Sequence, residues 1–143
     1  MTVTQFLEAE RDGILAEAVV AAAAAPRYGV AELGSRLAAL FDELVAAVDA
    51  RDLTSIVDYA RHLARARFSA GYDIAEVQVA INALEQAVWL RIFESAPKSL
   101  VGEALRVVST VLGSAKDALA QEYVVLAKAG PATPDPSVLF TAL

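Results

Sequence analysis

Histidine occurs once in these 143 residues, at His62, and cysteine does not occur at all. Proton transfer near neutral pH, thiolate chemistry and soft-metal coordination each lean on one of those two side chains. His62 is therefore the first residue to place. On a helix, at about 100° per residue, it shares one face with Asp58, Arg61, Arg65 and Ser69, while Ile56, Ala60, Leu63, Arg67 and Ala70 share the opposite, apolar face. Asp58, four residues earlier, is placed for a surface pair with His62. An imidazole on the wet face does not point into a haem pocket, so no haem is expected. One histidine without cysteine leaves only carboxylates for a transition metal, so no metal site is expected either. Ser69, Ser109 and Ser114 lack a histidine base that could serve them. Glutamate pairs at i,i+4 are missing from the apolar faces, which excludes a di-iron bundle site, and no glycine-rich loop follows a strand. No catalytic residue or cofactor ligand is assigned, and a non-enzymatic protein is expected.

Two charges fall on otherwise apolar faces, Arg67 and Glu85. Either they line a ligand pocket or a switchable buried contact, or they are buried charges paired locally, with Arg67 extending its head toward water. Glu85 lies some eight residues beyond the level facing Arg67, about 12 Å at 1.5 Å per residue, which argues against a direct pair across a hairpin. Tyr59 is at a better height to meet Glu85.

Five helices must position these groups. Residues 3–25 carry Val3, Phe6, Leu7, Ile14, Leu15, Ala18, Val19 and Ala22 at spacings of three and four, with Thr2 or Thr4 as cap and Pro26 as stop. After the turn Arg27-Tyr28-Gly29, residues 30–50 present Val30, Leu33, Leu37, Leu40, Phe41, Leu44 and Val48 on one stripe. A third helix spans about 53–70, started by Asp52 or Thr54. Gly71 suits the left-handed position that closes a helix, and Asp73 with Glu76 three residues on makes a capping box for the fourth, 74–94. That helix is apolar on both sides: Ile74, Val77, Ile81, Leu84, Val88 and Ile92 form one strip, and Val79, Ala83, Leu90 and Phe93 form another. In so short a chain, burying both sides calls for a second subunit, with Val79, Ala83, Trp89, Leu90 and Phe93 as the expected interface. Pro97 and Ser99 open a fifth helix to about Lys128, with a near-heptad seam through Val101, Leu105, Val108, Leu112, Ala115 and Leu119 that Gly113 weakens. Residues 1–128 read as one helical domain and 129–143 as a Pro-rich tail tipped by Val138, Leu139 and Phe140. A cavity between helices two, four and five, lined by Leu40, Phe41, Leu84, Val88 and Leu112, is the alternative site, for a small apolar ligand.

A hydrophobic fraction of 57% exceeds what one small core hides and favours self-association. A net charge of −6 opposes nucleic-acid binding, which needs clustered Lys and Arg, and Arg61, Arg65 and Arg67 are too few to reverse that sign. The acidic N-terminal residues Glu8, Glu10 and Asp12 do not form a signal peptide, and the run Val19–Ala25 is too short to span a bilayer, so a cytoplasmic protein is expected.

The segment from Tyr59 to Phe93 resembles the N-terminal domain of the RsbR-type stressosome proteins, co-antagonists of the RsbT kinase. The resemblance is carried by Ala60 to Gly71 (ARHLARARFSAG), by Tyr72-Asp73-Ile74-Ala75-Glu76-Val77, and by Leu84 through Trp89-Leu90-Arg91. It implies a haem-free globin-like fold and a dimeric sensory module of bacterial stress signalling, partnered by a STAS-domain or sigma-factor-regulator protein. Members of that family usually continue into a STAS domain, where this chain carries its Pro-rich tail.

Overall fold

In a computed structural model, which describes residues 1–23 and 30–129, every regular element is helical. The described residues form six helices: α1 (Val3–Ala9), α2 (Arg11–Ala22), α3 (Val30–Ala50), α4 (Thr54–Ser69), α5 (Ile74–Ser95) and α6 (Lys98–Ala129). The expected first helix is two, bent at Glu10, where φ is −99° and ψ 7°. Its apolar spacing continues across the bend, so periodicity alone did not reveal it. The bend lets α1, with Val3, Phe6 and Leu7 buried, cover α3 and α6 while α2, with Ile14, Ala18 and Ala22 buried, lies on α5 and α3. Pro26, the Arg27-Tyr28-Gly29 turn and the tail beyond Ala129 lie outside the described residues.

The helix ends follow from side-chain chemistry. Thr2 Oγ1 accepts the Gln5 amide at 3.1 Å while Gln5 Oε1 accepts the Thr2 amide at 2.9 Å, a reciprocal cap on α1. α4 closes on Gly71 at φ +87°, with the Tyr72 amide donating back to the Arg67 carbonyl at 3.0 Å. Two residues later the expected capping box is present: Asp73 Oδ1 accepts the Glu76 amide at 2.9 Å, and Glu76 Oε1 accepts the Asp73 amide at 3.3 Å.

α3 closes differently. The Asp52 amide donates to the Ala47 carbonyl at 3.3 Å, and Arg51 occupies the left-handed position at φ +52°. That position usually takes glycine, and a side chain there costs about 1 kcal/mol. Asp52 then accepts from the Thr54 amide and hydroxyl at 2.9 and 2.7 Å and starts α4.

α3 and α4 form an antiparallel hairpin, pinned by Glu43–Ser55 at one end and Glu32–Arg67 at the other. α6 lies along α4, from Glu122 beside Arg65 to Tyr123 beside Phe68, and α2 runs along α5 on the other flank. The core runs through all six helices, with Leu7, Ile14, Leu37, Phe41, Leu44, Ile56, Leu84, Ile92, Leu112 and Leu119 essentially without solvent contact. Leu40, Phe41, Leu84, Val88 and Leu112, expected to line a cavity, are all buried members of this core, and the clefts described below are lined by other residues.

Candidate functional site

The outward face of α5 is unusual for a surface helix. From Ala75 to Phe93 its solvent-exposed residues are Ala75, Val79, Asn82, Gln86, Trp89, Leu90 and Phe93, none of them charged. A surface helix ordinarily turns charges outward. Here Val79 and Trp89 are each 37% exposed, Leu90 49% and Phe93 66%. The patch continues onto α2: a cleft of about 440 Å³ between the two helices is lined by Ala16, Glu17, Val20, Ala21, Gln86, Ala87 and Leu90, and Val20 is itself largely exposed. Four of the five expected interface residues thus present apolar surface. Ala83 does not. It is buried within the subunit, because α2 flanks α5 and narrows the open face to less than the sequence spacing implies. α5 is covered by α2, α3, α4 and α6 and left open along the strip that carries Val79, Trp89, Leu90 and Phe93.

Arg91 pins that flank. Its Nη2 donates to Glu17 Oε1 at 2.7 Å and its Nη1 to Glu10 Oε2 at 3.3 Å. The guanidinium rests on Gly13, where an added Cβ would stand 2.5 Å from Nη2. Sequence spacing gives no sign of these partners, which lie more than 70 positions away.

Arg67 points inward, as its helical position predicts, and is 4% exposed. Its Nη1 lies 3.6 Å from Glu32 Oε1, and its guanidinium carbon sits 5.0 Å from the centre of the Tyr72 ring, a cation–π contact. The Tyr123 hydroxyl donates to the Tyr72 carbonyl at 3.0 Å, which fixes that ring's backbone. Glu85 pairs with neither Arg67 nor Tyr59. It accepts from Lys116 Nζ at 2.7 Å, across the α5–α6 contact, because α6 rather than α4 presents a cation at its level. Tyr59 faces Glu43 instead; burial pushes its phenol above the usual 10.0, and the Glu43 carboxylate adds to that. His62 is exposed, and its Nδ1 bonds the Asp58 carbonyl at 2.8 Å rather than the Asp58 carboxylate.

A second, larger cleft, about 600 Å³, opens at the end of the bundle where α1 begins and α3 ends. Val3, Ala47, Val48, Val107 and Val111 supply its apolar surface, and Asp49, Arg51, Glu103 and Arg106 supply charge around it. Nothing in composition marked it. The one available signal was a helix break at Arg51-Asp52 with no glycine to close it.

Among the described residues no group of three or more His, Asp or Glu side chains gathers to hold a metal ion, and no helix is long and apolar enough to cross a membrane. Neither a family model, nor a curated protein, nor a solved structure matches the chain.

Proposed function

We propose that this protein is a non-enzymatic sensory and protein-interaction domain of bacterial stress signalling, akin to the N-terminal domain of the RsbR-type proteins, with its helices arranged in globin-like fashion. It acts as a homodimer and passes its state to a STAS-domain or sigma-factor-regulator partner in the cytoplasm. The observation that carries this reading is the largely apolar exposed face of α5 with its extension onto α2. A patch of two adjacent helices, aromatic and aliphatic at its centre with Glu17 and Glu94 as its charged members, has the composition of a subunit contact, and a two-fold axis would set it against itself. The 32-residue α6 supplies an element long enough to report the dimer's state to a partner at its far end.

Light scattering coupled to size exclusion tests it. The expected mass is twice the 15.1 kDa of the chain, and Phe93→Glu is expected to halve it while the helical circular dichroism is kept. Trp89→Ala is expected to weaken association by a factor of about ten, in the range of an aromatic contact at an interface. A monomer at about 100 µM, a concentration at which contacts of this size associate, would defeat the proposal.

A further inference from the structure

We infer that the cleft between the start of α1, the end of α3 and the first half of α6 binds a small zwitterion with an apolar body, of the size of an apolar dipeptide. This goes beyond dimerisation and does not depend on it. The cleft's volume, about 600 Å³, is in the range of small-molecule sites. Its apolar surface is made by Val3, Val48, Val107 and Val111 from three different helices, so the fold itself creates the concavity.

Charge selects the ligand class. Three carboxylates and two guanidinia line the cleft, but Asp52 is engaged by the Thr54 amide and hydroxyl, which hold its carboxyl below the usual range. That leaves Asp49 and Glu103 against Arg51 and Arg106. Among the described residues no ion pair engages any of these four. Two unpaired charges of each sign around an apolar surface suit a molecule carrying one ammonium and one carboxylate. A simple anion would meet two carboxylates, and a simple cation two guanidinia.

Arg51 supplies the second, independent observation. Its backbone holds the left-handed conformation that glycine adopts without strain, and the protein nonetheless carries an arginine there, at the cleft's edge. Packing does not call for that side chain, which is exposed. A role for its guanidinium in contacting a carboxylate accounts for it.

Methyl chemical shifts of Val48, Val107 and Val111, followed on the full chain during titration, provide the test. The probes are leucyl-leucine, its N-acetyl derivative, which keeps only the negative charge, and its C-terminal amide, which keeps only the positive one. Saturable shifts are expected with leucyl-leucine, and binding at least about fivefold weaker with either derivative, as expected when one charge pair is lost. Arg51→Gly is expected to weaken leucyl-leucine binding about tenfold without lowering the thermal midpoint, and Arg106→Gln to weaken it by a similar factor from the other side of the cleft. No saturable shift up to about 10 mM, equal affinity for the three probes, or undiminished binding by both variants would overturn the inference.

Discussion

Arg91 is held against α2 because position 13 carries no side chain. The consequence is a substitution whose sign depends on its background. Gly13→Ala should gain helix propensity, about 1 kcal/mol, but it displaces a guanidinium that bridges Glu10 and Glu17. Breaking a partly buried bridge of this kind costs roughly 2 kcal/mol or more, so the net change in the parent protein is a loss of about 1 kcal/mol. In an Arg91→Ala background nothing is displaced and the same substitution should stabilise. Urea unfolding of the four proteins in the cycle measures both signs; a loss in both backgrounds would show that Gly13 is needed for something other than Arg91. Tyr59 gives a prediction in pH. The folded state keeps its phenolic proton to a higher pH than the unfolded chain does, since burial and then Glu43 disfavour the phenolate. Above the ordinary value of 10.0 the unfolded state therefore binds fewer protons, and stability falls as pH rises toward the folded value. Below 10.0 the contribution is complete. Tyr59→Phe should flatten this alkaline decline in urea midpoints while leaving the neutral-pH dependence unchanged.

At the scale of helices, the ends were more legible than the joins. Thr2, Gly71, Asp73 and Glu76 declare themselves because caps are local: donor and acceptor lie within a few residues, and the side chain that satisfies an orphan amide is written beside it. Asp73→Ala should accordingly cost about 1 kcal/mol, read as a lower urea midpoint with an unchanged slope, because it removes one bond of the box and frees the Glu76 amide. The bend at Glu10 had no such signature. Backbone bonds continue on both sides of it, from the Glu10 amide to Phe6 and from the Ile14 amide to Glu10, both at 3.0 Å, and the stripe of apolar residues does not change phase. What makes the helix turn is tertiary: both halves lie on α3, but the first reaches α6 and the second α5. Ala83 was misread for the same reason, since a helical wheel shows which residues share a side but not how far a neighbouring helix wraps around it.

Across the whole molecule, the helical class and most core residues were legible from apolar spacing, though not the division into six helices, and the contacts among charges were not. Glu85 meets Lys116, Arg65 meets Glu122 and Arg11 meets Asp42, pairs separated by 31, 57 and 31 positions, and each is decided by which helices the core happens to bring side by side. The uncharged side of α5 stood out in the sequence as excess apolarity; its union with Val20 of α2 needed the fold. The cleft at the end of the bundle needed it more, because Val3, Val48 and Val107 have no relation along the chain beyond their convergence in space. One property of α6 connects the regions. With 32 residues at about 1.5 Å each it is a rod roughly 48 Å long, borne on α4 and α5, with Glu103 and Arg106 near one tip and Ala129 at the other. Any rigid tilt of that rod about its first turn would move Ala129 several times as far as Arg106, because displacement grows with distance from the pivot.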